Sequence, residues 1–258
     1  MCRLKSGIIL KDQVFIPDYD SHIDMLEELN IKDDIFNART LFVRAELLPI
    51  NGNIFSDVST WYLNVDQDIL PDWFIYDYEK QRMIEAVKKW SKNHIFENVD
   101  ELLELKGNDK YYLKNCKNVE AYDSCDIIAY GDCTINAYDN CIIYAYDDCT
   151  INAFNNCTIK ARDKCTINAH NNCSVCTRGK CVATIYDNCK VHAFDNCTIN
   201  TQDKKIIYLY DNCTINAQNN CRFYRFDHYI LNVHDKSITK AYDNCTVNAQ
   251  NKCKIYYG

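Results

Sequence analysis

Cysteine is the first candidate for chemistry. The chain of 258 residues holds 17 of them, and 14 recur at one position of an eight-residue period running from Lys117 to the last residue. Thiols stacked at such a period would suit a soft metal or the storage of oxidising equivalents. Packing is the stronger reading, because buried cysteine behaves as a small hydrophobe and the same position accepts Lys117, Lys205, Tyr229 and Ser237. Cys173 and Cys176 form one CxxC without a matching second pair, and their spacing puts them on opposite faces of a strand. A second candidate is a row of acids, Asp147, Asp163, Asp195, Asp211, Asp227 and Asp243, which would attract a cation if stacked. The octad lacks the glycines of calcium-binding rolls, so turn geometry is the stronger reading there. A third is the cluster Asp66, Asp68, Asp72 and Trp73, with Asp18, His22, Arg44 and Glu46 elsewhere in the same region. Two carboxylates and a histidine suit acid–base work, but solvated acids around a capped turn are the stronger reading. No phosphate loop, nucleophile elbow or metal triad is present, so the chain is expected to be no enzyme and to need no cofactor or metal.

The elements that must position these groups follow from the octad Cys-Thr-Ile-Asn-Ala-Tyr-Asp-Asn, seen at Cys133–Asn140 and, with Gln and Asn at positions six and seven, at Cys213–Asn220. Positions one, three and five are apolar and two and four polar, which predicts a half-buried strand with Cys, Ile and Ala inward. Position seven is Asp, Asn or Gly in all 17 octads that reach it, the residues that tolerate positive φ, so each octad ends in a corner. Position four is Asn at Asn136, Asn152, Asn168, Asn200, Asn216, Asn232 and Asn248, always in alternate octads. The coil is therefore 16 residues. The predicted fold is mainly β: a two-sheet parallel β-solenoid, or β-roll, of about nine coils rising roughly 4.8 Å each.

Residues 1–115 read as a small α+β domain, and 116–258 as the solenoid. Gly7–Pro17 predicts a hairpin turning at Lys11–Asp12, and His22–Leu29 a helix. Strands are expected at Leu41–Leu48 and Trp61–Val65 with a turn at Asn51–Gly52, a long helix at Tyr78–Lys92 and a short one at Val99–Leu105. The domain's expected mechanical duty is to cap the first coil.

Net charge is −7, yet the part from Lys117 onward carries as many Lys and Arg as Asp and Glu, so the acidic excess lies in the first 116 residues. That balance argues against a basic nucleic-acid binder and against an acidic nucleic-acid mimic. No apolar run approaches the roughly 18 residues of a membrane span, and the N-terminus has no apolar signal region, which predicts a cytoplasmic protein with reduced thiols.

Outward positions are the places for a partner. The Thr–Asn face is similar to that of repeat antifreeze proteins, but Asn more often forms hydrogen-bonded ladders that stabilise parallel stacks. The alternate octads are irregular at the same positions, and Tyr144, His192, Tyr208, Arg222 and Tyr224 there, with Asp66, Asp68, Asp72 and Trp73, are the candidate binding residues. Aromatics at position six, such as Tyr122, Tyr138 and Phe194, fringe both edges.

The stretches Arg3-Leu4-Lys5-Ser6-Gly7, Phe42-Val43-Arg44-Ala45-Glu46-Leu47, Val65-Asp66-Gln67-Asp68 and Pro71-Asp72-Trp73 resemble an uncharacterised module of bacterial and bacteriophage proteins that is often followed by a short-repeat solenoid. The resemblance implies a phage or prophage setting and, through it, counter-defence by binding a host protein or nucleotide. The repeat is similar to pentapeptide-type and bactofilin-like solenoids, although a period of eight departs from the former. The expectation is a non-enzymatic scaffold or protein-binding protein. Its last coil, Cys253–Gly258, carries no cap, which predicts end-to-end association into a homo-oligomer. The alternatives are the counter-defence inhibitor and a soft-metal or redox protein using the cysteine ladder.

Overall fold

A computed structural model describes residues 5–202 and, beyond them, 206–210, 212–218, 222–225, 229–234, 238–241, 246–250 and 254–257. The chain divides into two compact units, Met1–Ile95 and Phe96–Gly258.

In the first unit an antiparallel sheet is built from β1 (Lys5–Leu10), β2 (Val14–Phe15), β3 (Phe42–Leu48) and β4 (Tyr62–Val65) in the order β2-β1-β3-β4. Helix α1 (His22–Glu28) starts at Ser21, whose hydroxyl accepts from the Asp24 amide. A second helix, α2 (Ile35–Thr40), is capped in the same way by Asp34. It was not expected, because six residues are too few to show a helical period. The long helix α3 (Tyr76–His94) buries Met83, Ile84 and Val87. Gly7 admits it to the sheet, since a Cβ there would lie 3.0 Å from Met83 Cε and 3.0 Å from the Phe15 carbonyl.

The second unit consists of parallel coils. One sheet has ten strands and another nine, fed by alternate octads, and Ile238–Ala241 pairs with Lys254–Tyr257 in a separate two-stranded sheet. Register is set by a shift of one coil: Thr134 pairs with Thr150 and Thr150 with Thr166, while Asn136 pairs with Asn152 and Asn152 with Asn168. Inward residues of positions one, three and five are sealed from solvent, as with Cys149, Ile151 and Ala153 at 0 % exposure. The two-residue alternation thus produces a continuous core of small and medium side chains.

The sheets begin ahead of the octads. Strands β5 (Ile95–Glu97) and β7 (Lys110–Lys114) join the nine-stranded sheet, and β6 (Leu103–Leu105) and β8 (Val119–Ala121) the ten-stranded one. The solenoid unit therefore starts before residue 116, where the octad pattern becomes legible. The helix expected at Val99–Leu105 is corrected to β6, in which Leu103 pairs with Val119 and Leu105 with Ala121. Parallel pairing to the next coil overrides a local apolar spacing that suits a helix equally well. Cys116 also joins the core, one residue ahead of the octad position held by Lys117.

Corners sit at position seven. Asp123, Asp139, Asp147, Asn155, Asp163, Asn171, Asp187 and Asp195 all have φ between 50° and 67°. Gly179 has φ 89° and no room for more, because a Cβ would approach the Asp163 backbone to 2.9 Å.

Candidate binding surfaces

The cysteine ladders lie inside the solenoid. Twelve of the thirteen described cysteines are buried, and all thirteen are free thiols. Thiols at position one turn towards the corners. Sγ of Cys125, Cys157, Cys165 and Cys173 donates to the carbonyl of position six in the preceding octad at 3.0–3.1 Å. Cysteine thus fills a small volume and supplies a weak donor, which alanine and valine cannot do. Hydrogen bonds between stacked thiols push Cys157 and Cys165 well above the ordinary thiol range and pull Cys141, Cys149, Cys173 and Cys197 below it, while burial raises all of them. What withholds these thiols from reagents and metals is their burial, since a reactive cysteine needs access as well as a thiolate.

The position-seven acids have a comparable duty. Oδ2 of Asp147 accepts from the Gly131 amide at 2.9 Å, that of Asp187 from Asn171 at 2.8 Å and that of Asp195 from Gly179 at 3.2 Å. Each carboxylate caps the corner of the preceding coil. Gly179 separates Asp163 from Asp195, so the expected row of acids is broken. Asp211, Asp227 and Asp243 lie outside the described residues.

Asn side chains form the ladder expected of them. Nδ2 of Asn152 donates to Oδ1 of Asn136 at 2.7 Å and Nδ2 of Asn168 to Oδ1 of Asn152 at 2.8 Å, and Glu120 Oε1 accepts from Asn136. Thr184 interrupts the row, which resumes from Asn200 to Asn248. With amides spent on one another, this face is largely self-satisfied.

The nine-stranded sheet is different. Its outward position-four row runs Tyr144, Lys160, Cys176, His192, Tyr208 through successive coils. Lys160 Nζ lies 4.8 Å over the Tyr144 ring and 3.4 Å from its hydroxyl. His192 and Tyr208 stack at 4.6 Å. Cys176 is half-buried between Lys160 and His192, and burial raises its thiol. The structure therefore puts Tyr144, His192 and Tyr208 in one row, with Tyr144 three coils from His192. The strand Arg222–Arg225 continues the sheet, but the side chains of Arg222 and Tyr224 lie outside the described residues. Sequence reading missed Lys160 and Cys176, which break the row without breaking the octad.

One edge carries a stack of rings. Tyr122, Tyr138, Phe154, His170 and Tyr186 follow at centroid distances of 4.2–5.1 Å. His170 completes this stack and would have been found by counting imidazole as aromatic. The other edge holds Tyr130 on Tyr146 at 5.0 Å and Phe194 on Tyr210 at 4.4 Å, with Arg162 and Arg178 between.

In the first unit, Asp66 and Asp68 line a cleft of about 590 Å³ together with Asp33, Asp34, Arg44 and Gln67. Arg44 is ion-paired with Asp33. The amide of Asn37 holds the Asp34 carboxyl below its ordinary range. Gln67 is a staple: Oε1 accepts from the Arg44 amide at 2.8 Å and Nε2 donates to the Ile69 carbonyl at 2.6 Å. His22 is buried, with Nδ1 3.3 Å from Asp66 and Nε2 3.2 Å from the Ala45 carbonyl, so both ring nitrogens are engaged. Asp72 is exposed and does not line the cleft, and Trp73 donates from Nε1 to the Thr40 carbonyl at 2.8 Å. Asp33 and Asp34 were not anticipated, because their approach depends on α2.

No helix among the described residues is long and apolar enough to cross a membrane. No protein-family description, curated protein or solved structure matches the chain.

Proposed function

We propose that this protein is a non-enzymatic scaffold or protein-binding protein whose partner docks on the outer face of the nine-stranded sheet. The observation that carries this reading is the row Tyr144, Lys160, Cys176, His192, Tyr208. It replaces the regular Thr–Asn ladder of the opposite sheet with rings, a cation and a thiol. Aromatic side chains give partners much contact area for little lost entropy. The engagement of both His22 nitrogens supports a binding role over acid–base chemistry.

The resemblance of the first unit to a bacterial and phage module, and of the repeat to pentapeptide-type and bactofilin-like solenoids, supports a phage or prophage origin. A host protein is then the natural partner, which makes this reading compatible with counter-defence. Free thiols at all thirteen described cysteines support a reducing, cytoplasmic setting. Self-association through the last coil belongs to the same proposal. Of that coil the described part is Lys254–Tyr257, which pairs with Ile238–Ala241, while Cys253 and Gly258 lie outside the described residues.

Capture experiments with the full chain test this. The Y144A/H192A/Y208A chain is expected to retain a bacterial partner at least about tenfold less than the parent, as loss of two or three anchors does elsewhere. The D66N/D68N chain is expected to retain it unchanged. Equal retention by the first variant, or loss in the second, would contradict the assignment of the face.

A further inference from the structure

Four successive corners on one solenoid edge read Tyr130-Gly131-Asp132, Tyr146-Asp147-Asp148, Arg162-Asp163-Lys164 and Arg178-Gly179-Lys180. Backbone bonds fix them as neighbours: the Asp148 amide donates to Gly131, Lys164 to Asp147 and Lys180 to Asp163. Position six therefore runs Tyr, Tyr, Arg, Arg, while position eight runs Asp, Asp, Lys, Lys. Both rows change character between the second and third corners. Position seven reads the same in either direction, Gly, Asp, Asp, Gly. Asp132, Asp148, Arg162, Lys164, Arg178 and Lys180 are all exposed. Arg162, Lys164, Lys180 and Asp148 make no ion pair among the described residues, while Asp132 pairs with Lys117 and Arg178 Nε lies 3.7 Å from Asp195.

A surface whose two halves are opposite in charge along one axis is complementary to itself after a half-turn. We propose that this edge binds the same edge of a second copy, with the two solenoids antiparallel. The two-fold axis lies along the sheet normal and passes between the second and third corners. That operation leaves row six facing row six and row eight facing row eight, as an isologous contact requires. Tyr130 then meets the second copy's Arg178 and Tyr146 its Arg162, which are cation–π partners. Asp132 meets its Lys180 and Asp148 its Lys164, and each contact occurs twice. The outer corners bring glycine to glycine, where backbones approach without side chains. The one like-signed juxtaposition is Asp147 against the second copy's Asp163. Both carboxylates are turned back along the solenoid onto amides of the preceding coil, at 2.9 Å and 3.5 Å, and Arg162 and Lys164 flank Asp163.

This lateral contact rests on the reading of the chain as a self-associating scaffold, but not on association through the last coil. The test therefore uses the full chain carrying Ile255→Pro, which removes an amide from the final strand edge. Sedimentation equilibrium is expected to show a dimer that weakens as salt rises, because the pairs are exposed and screened. The K164D/K180D chain and the D132K/D148K chain should each associate at least about tenfold more weakly than the parent. Mixing the two should restore dimers, since the position-eight row is then wholly acidic in one copy and wholly basic in the other. That restoration also shows that both variants fold. A parent chain monomeric at about 500 µM, or reversal variants that associate like the parent, would overturn the lateral contact. Loss of higher assemblies on Ile255→Pro, with the reversals inert, would leave the end contact standing and remove this one.

Discussion

Replacing Lys5 by alanine is expected to destabilise the N-terminal unit by about 2–4 kcal/mol, under the roughly 3–5 kcal/mol for breaking a fully buried ion pair because Asp20 keeps 29 % exposure. Lys5 is 1 % exposed, although it opens a strand at the beginning of the chain. Its Nζ lies 3.1 Å from Asp20 Oδ1, 3.4 Å from the Tyr19 carbonyl and 4.8 Å over the Trp90 ring. Trp90 in turn stacks on His94 at 4.6 Å, and His94 Nε2 lies 3.0 Å from Asp18. Removing the ammonium leaves Asp20, at 29 % exposure, facing a protein interior rather than water. Lys5→Met should cost less than Lys5→Ala, because it keeps contact with Trp90. Combining Lys5→Met with Asp20→Asn should recover part of the loss, because no charge then remains unpaired. Urea unfolding followed by tryptophan fluorescence measures this unit alone, since Trp61, Trp73 and Trp90 are the three tryptophans of the chain. A Lys5→Ala midpoint equal to that of the parent would show that the pair contributes nothing.

Ile151→Ala should destabilise the solenoid by about 2–5 kcal/mol, the cost of a deleted core isoleucine and the cavity left behind. Ile151 is sealed from solvent and sits in register between Ile135 and Ile167. Each coil contacts only its neighbours, so a weakened central coil also uncouples the coils on either side. Far-UV circular dichroism should therefore show an earlier and broader transition, while the tryptophan transition stays in place. Equal shifts in both signals would mean that the two units unfold as one.

The solenoid was legible because its determinants are local and repeated. Inward Cys, Ile and Ala, a positive-φ residue at each corner, and Asn confined to alternate octads specify strand, corner and coil length without tertiary information. The first coil was not, because Leu103, Leu105, Tyr111 and Leu113 occupy strand positions without the cysteine that marks the octad. The purpose of the signature residues was only half visible. Positive φ explains an Asp at position seven, but its bond to the amide of the preceding corner depends on stacking. Cysteine at position one reads as filler, but its bond to the position-six carbonyl depends on how the corner folds back. At the acid cluster, Asp66 and Asp68 were found, but Asp33 and Asp34 reach the same cleft through a helix of six residues.

The buried thiols of the ladder are expected to behave as interior structure rather than as reagents. Alkylation of the reduced, folded chain, mapped by mass spectrometry and paired with elemental analysis, tests this most directly. Among the thirteen described cysteines, Cys176 should be modified first, and the twelve buried ones should stay unmodified until denaturant is added. No soft metal should accompany the protein. Ladder cysteines alkylated in the folded chain as fast as Cys176, or a soft metal bound in stoichiometric amount, would contradict the account.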